Sequence, residues 1–190
     1  MFLPQVSIIL GTRPEVIKLA PIIRKFKLSS KIKTRVILTG QHKEMVDEII
    51  KQFEIDVDIN MNLMKDNQSL SYLTSNIINE LDKEFKEFPP KLVIVQGDTN
   101  TAFSGSLAAF YQKIPVAHVE AGLRTDDIFN PYPEEANRRL ISQIATYHFA
   151  PTQSAKDNLL KEGCSGDIFV TGNTVIDTLI WRSNLVDDLN

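Results

Sequence analysis

The chain places two cations and a glycine turn directly behind an apolar run. Val6 to Leu10 leads into Gly11-Thr12-Arg13-Pro14-Glu15-Val16-Ile17-Lys18. A buried strand, a tight turn and a helix opening at Pro14 form a βα unit of the kind that grips phosphate. A helix N-terminus offers unpaired N–H groups and a partial positive charge to an anion. Arg13 in the loop and Lys18, a helical turn beyond Pro14, add positive charge there. That much charge suits a diphosphate that must depart as well as be held. The same residues also fit a plain turn, with Pro14 at the first helical position and Arg13 a surface charge. The segment is neither the dinucleotide fingerprint nor a P-loop.

Three further segments carry acids. In Gly97-Asp98-Thr99-Asn100-Thr101, Asp98, Thr99 or Asn100 would cap a following helix, and a functional reading of Asp98 gains weight because it lies on the same sheet edge as Arg13. In His118-Val119-Glu120-Ala121-Gly122-Leu123-Arg124-Thr125, Glu120 ends an otherwise apolar strand. A buried carboxylate there is costly unless paired or functional, and Arg124 is a candidate partner. His118, two residues earlier, falls on the same strand face as Glu120 and reads as a hydrogen-bonded structural histidine. Pro133-Glu134-Glu135-Ala136-Asn137-Arg138 reads as a helix start, with Glu134 and Arg138 at i, i+4. His42, His118 and His148 show no metal-ligand spacing, so no metal site is expected.

Something must bring these segments together. Short apolar runs recur at Val6–Leu10, Thr34–Leu38, Leu92–Gln96, Val116–Glu120, His148–Ala150 and Ile168–Val170, with a weaker one at Val57–Ile59. Between them lie helical patterns such as Leu70, Leu73, Ile77, Leu81 and Phe85, stopped by Pro89-Pro90. After Asp98, the residues Ala102, Gly105, Ala108 and Ala109 form a small-residue face fit for close approach to a sheet. Such alternation predicts an α/β fold with a doubly wound, Rossmann-like parallel sheet. Ligands of such sheets sit beyond the carboxyl ends of the strands. Arg13, Gln41-His42, Asp98, Glu120 and Glu134 all follow strands or the loops after them, so one rim should carry them.

Composition narrows the class. The 190 residues suffice for one large α/β domain, and the net charge of -3 argues against nucleic acid as a partner. The single cysteine, Cys164, excludes an internal disulfide and fits the cytoplasm. No apolar stretch is long enough for a membrane span. The apolar start at Phe2–Leu10 lacks a basic leader and reads as a first strand.

Taken together, Gly11 to Lys18, Gly97 to Thr101, His118 to Thr125, Pro133 to Arg138 and Thr171-Gly172-Asn173-Thr174 resemble the non-hydrolysing UDP-N-acetylglucosamine 2-epimerases. The resemblance implies interconversion of UDP-GlcNAc and UDP-ManNAc by expulsion and return of UDP through 2-acetamidoglucal, without a cofactor. It implies acid/base roles for Asp98, Glu120 and Glu134, and substrate contacts for Arg13, Lys18 and Arg138. It also implies a place in cell-surface polysaccharide biosynthesis and the chance of a homodimer. The family is of the two-domain GT-B type, and the match covers only its first half. Residues 1–172 are then expected to form the N-terminal domain and residues 173–190 to begin the interdomain connection, the second domain being absent and the chain alone nearly inactive. Ile176, Leu179, Ile180, Trp181 and Leu185 form an apolar helix stripe in need of a partner. Half of a GT-B glycosyltransferase and a non-catalytic nucleotide-sugar-binding or regulatory module are the alternatives.

Overall fold

Strands and helices alternate along the chain: β1 (Gln5–Leu10), α1 (Arg13–Lys27), β2 (Lys33–Leu38), α2 (Lys43–Gln52), β3 (Ile59–Asn60), α3 (Leu70–Glu87), β4 (Leu92–Gln96), α4 (Asn100–Tyr111), β5 (Val116–Val119), α5 (Glu134–Ile144), β6 (Tyr147–Ala150), α6 (Gln153–Lys161), β7 (Asp167–Val170) and α7 (Thr174–Asp187). These elements come from a computed structural model that describes residues 3–40, 43–63 and 67–187. The sheet runs β3-β2-β1-β4-β5-β6-β7, and every recorded pairing is parallel. The strand order reverses at β1, which pairs with β2 on one side and β4 on the other. The loops after β1 and β4 therefore diverge to opposite faces and leave a crevice at the carboxyl edge.

Alternation along each strand builds two cores. Ile8, Leu10, Ile94, Ala117 and Val119 face Val16, Leu19 and Ile23 of α1, together with Val46 of α2 and the following Phe53. Ile9, Val93, Val95 and Val116 face α3, α4 and α5 through Ile77, Leu81, Ala102, Ala108 and Ile141. The expected small-residue face of α4 is present, and it matters most at Gly105. A Cβ there would stand 2.7 Å from Ile9 Cδ1, so a side chain at this position would force Ile9 to turn its terminal methyl aside.

Two element ends differ from the sequence expectation. The weak run at Val57–Ile59 pairs only at Ile59–Asn60, because the Asp58 carboxylate accepts the Val36 N–H at 2.7 Å at this sheet edge. Strand β5 stops at Val119, because Glu120 turns into the left-handed region at φ 65°. Helix α7 packs on α1. The Thr178 hydroxyl donates to the Ile17 carbonyl at 2.7 Å, and Trp181 lies against Phe53 with Arg24 over its ring. Trp181 thus finds a partner, whereas Ile176, Leu179 and Ile180 remain exposed; the Leu185 side chain lies outside the described residues. No described helix is long and apolar enough to cross a membrane.

Candidate active site

The carboxyl ends of β1, β4 and β5 meet beside the switch point, and the predicted acids gather there. Thr99, not Asp98, caps α4: its hydroxyl oxygen accepts the Ala102 N–H at 3.0 Å. The Asp98 carboxylate is left to meet Arg138 of α5 at 2.5 Å, and its carbonyl accepts from the Asn137 amide at 2.9 Å. The Glu134–Arg138 pair suggested by spacing is not the one that forms. Arg138 turns instead to Asp98 and, at 3.5 Å, to the fully buried Glu135. Glu134 opens α5 half-buried.

Glu120 does not pair with Arg124 either. Arg124 is taken by Glu162 at 2.7 Å and by Ser142 at 3.0 Å. By alternation Glu120 would follow Val116 and His118 towards the α4–α5 face. Its left-handed backbone carries it across to α1, so it does not share a face with His118. There its carboxylate accepts from Lys18 Nζ at 2.6 Å, from Asn173 Nδ2 at 2.9 Å and from Gln96 Nε2. Lys18 therefore stands bound to an acid instead of open to a phosphate. Arg13, the first residue of α1, is exposed and pairs with no described residue.

The helix mouth is also occupied. The N–H groups of Gly11 and Thr12 donate to Glu15 Oε2 at 2.9 and 2.6 Å, so these two donors are not open to a ligand. Gln41-His42, expected on the same rim, lie outside the described residues.

The electrostatics tie the acids to one site. Burial raises the proton affinity of Asp98; the Arg138 charge opposes this, while Glu134 and Glu120 push it up further. Glu120 and Glu134 thus both lie near enough to act on Asp98. Beneath them His118 is fully buried, with Nε2 donating to the Gly97 carbonyl at 2.7 Å just before Asp98. Its structural role is as expected. Burial lowers its pKa from 6.5 to about 4, against the bond to Gly97. A depressed histidine contributes stability above its unfolded pKa, and that stability is lost as pH falls through the folded value. Unfolding free energy should therefore drop by roughly 3 kcal/mol between pH 6.5 and 4 from this group. Denaturant titrations of the wild type and His118→Gln across that range check this. The variant, whose amide can still reach Gly97, should show the shallower slope.

Sequence reasoning missed Glu15, Gln96, Asn137 and Asn173. The spacing of Thr12 to Glu15 is that of a capping box and signals a cap, although nothing in it signals burial. Asn173 follows β7, so the carboxyl-edge rule could have included it. Gln96 and Asn137 carry no local signal.

Known proteins share this arrangement of elements. The model of the UDP-N-acetylglucosamine 2-epimerase family matches residues 24–190. The UDP-N-acetylglucosamine 2-epimerase of Neisseria meningitidis is 52% identical over 177 residues, which is 93% of this chain and 48% of that protein. That of Bacillus subtilis is 51% identical over 176 residues, 92% of this chain and 46% of that protein. The Neisseria crystal structure bound to UDP-GlcNAc superposes with a TM-score of 0.93 at 49% identity, covering 96% of this chain and 50% of the other. The Methanocaldococcus jannaschii epimerase in complex with UDP-GlcNAc and UDP gives 0.90 at 41% identity, with 96% and 50% covered. A lipopolysaccharide outer core galactosyltransferase, at 18% identity and a TM-score of 0.64, shares the fold alone. The chain spans about half the length of the curated relatives it matches. With half of these sequences reproduced over nearly all of this chain, it belongs to the UDP-N-acetylglucosamine 2-epimerase family.

Proposed function

We propose that this chain forms one wall of an active site that interconverts UDP-GlcNAc and UDP-ManNAc by eliminating and re-adding UDP. The observation that supports this most is the nearness of Glu120 and Glu134 to Asp98, with Lys18 on Glu120 and Arg138 on Asp98, and Arg13 exposed at the start of α1 after β1. The C2 proton of the sugar is flanked by no carbonyl and is not acidic. Inversion there becomes feasible when a carboxylate takes the proton while the C1–O bond breaks. The C–H electron pair forms the C1=C2 bond of 2-acetamidoglucal, and the C1–O pair leaves with UDP. Return of UDP to C1 with a proton delivered to the opposite face of C2 gives the epimer. Such chemistry needs acid/base groups on both faces and cations at the leaving diphosphate.

Asp98 is assigned the proton-delivering role, since burial and the neighbouring Glu134 and Glu120 raise its proton affinity. Glu120 is assigned the accepting role, held in place by Lys18, Gln96 and Asn173. Arg13 meets the diphosphate. Lys18 joins it when the anion draws Nζ away from Glu120, and Arg138 orients Asp98. Residues 1–172 act as a Rossmann-like domain and residues 173–190 begin a connection to a second domain, with the reaction taking place in the cytoplasm.

A chimera of this chain with the remaining half of the Neisseria relative tests the proposal. UDP-GlcNAc incubated with it should yield UDP-ManNAc, while the 190-residue polypeptide by itself gives little or none. Absence of epimer from a folded chimera, or ready turnover by the lone chain, would count against it.

A further inference from the structure

Glu15 is the one fully buried acid at the mouth of α1, with 1% of its surface exposed. Its two carboxyl oxygens face different loops. Oε2 accepts from Gly11 and Thr12, which directly precede Arg13. Oε1 accepts from the Thr99 hydroxyl at 2.6 Å, and Thr99 directly follows Asp98. That hydroxyl oxygen in turn accepts the Ala102 N–H and so caps α4. A capping-box glutamate ordinarily serves only its own helix, and the bond to Thr99 goes beyond that role. It spans the crevice at the switch point, where β1 and β4 lie side by side and their loops diverge. Burial raises its proton affinity against these three hydrogen bonds, a cost that a cap serving one helix end alone would not need to bear.

We propose that Glu15 is a positioning residue: its carboxyl clamps the loop after β1 to the loop after β4 and thereby sets the gap between Arg13 and Asp98. The clamp rests on the proposed function insofar as that gap must fit a nucleotide sugar, with the diphosphate at Arg13 and the reacting carbon at Asp98. Glu15 reaches neither. A displacement of about 1 Å between such groups is enough to lower a rate about 100-fold.

The clamp itself is tested on the 190-residue chain by amide hydrogen exchange. Thr99→Val removes the hydroxyl from one loop, and the readout is the Gly11 and Thr12 amides on the other. Their exchange should quicken by about 10-fold, as expected when an acceptor loses its anchoring bond. Thr99→Ser should restore protection. Unchanged exchange at Gly11 and Thr12 in Thr99→Val overturns the clamp.

Its role in the reaction is tested in the chimera. Glu15→Ala should lower kcat by about 100-fold with KM altered only a few-fold, because the binding groups remain but their spacing is lost. Glu15→Gln should recover most of that loss, since its carbonyl can take Gly11 and Thr12 while its amide donates to the Thr99 oxygen. Should Glu15→Ala fail to fold, Thr99→Val carries the same kinetic expectation. A rise in KM with kcat kept, or no recovery in Glu15→Gln, overturns the positioning role. An unsubstituted chimera that makes no epimer counts against the proposed function, and the exchange experiment still decides the clamp.

Discussion

Asp98→Asn and Glu120→Gln should each cut kcat of the chimera by about 1,000-fold, within the range a positioned acid or base contributes. The two losses differ in their side effects. Asn at position 98 still accepts from Arg138 and leaves the neighbouring helix in place, so KM for UDP-GlcNAc should barely move. Gln at position 120 weakens the hold on Lys18, freeing that ammonium for the diphosphate, so KM should fall along with kcat. Steady-state assays of epimer formation measure both constants. A variant of either residue within ten-fold of the unsubstituted rate would remove it from the chemistry. Retained rate in both would favour a nucleotide-sugar-binding module.

Gly122→Ala should be the most damaging single change to the fold. The residue sits at φ +88°, and a Cβ would stand 2.1 Å from the Ala155 carbonyl oxygen and 2.7 Å from its carbon. Those atoms are backbone of α6, so no side-chain rotation relieves the overlap. Left-handed strain and overpacking together should cost about 4 kcal/mol. The damage also reaches the site, since Gly122 closes the turn that begins at Glu120 and its carbonyl accepts from Asn158 at 3.0 Å. Denaturant unfolding of the 190-residue chain gives the measurement. A midpoint unchanged from wild type would show that α6 can retreat freely.

The contrast between what local pattern revealed and what it concealed has a physical basis. Strands such as Leu92–Gln96 were legible because parallel strands covered on both faces are continuously apolar. The carboxyl-edge rule then placed Arg13, Asp98 and Glu120 on one rim without any knowledge of their partners. Pairings were not legible. Spacing along the chain offered Glu134–Arg138 and Glu120–Arg124, both within a few residues. The fold chose Asp98–Arg138 and Lys18–Glu120, which join residues far apart in sequence. For Glu120 the decisive event is one backbone angle, φ 65° at a non-glycine residue, which no periodicity encodes. Glu15 was hidden for a different reason. Its capping role is local, whereas its bond to Thr99 exists only because β1 and β4 are neighbours in the sheet.

The crevice acids are proposed to drive departure of a nucleotide from the sugar, breaking and remaking the bond from C2 to hydrogen. Incubating the chimera with UDP-GlcNAc in deuterium oxide and following the sugar by NMR tests it most directly. Deuterium should appear at C2 of the UDP-ManNAc formed, with free UDP and 2-acetamidoglucal accumulating when Asp98 is replaced by Asn. Epimer that keeps its original hydrogen at C2 would contradict it.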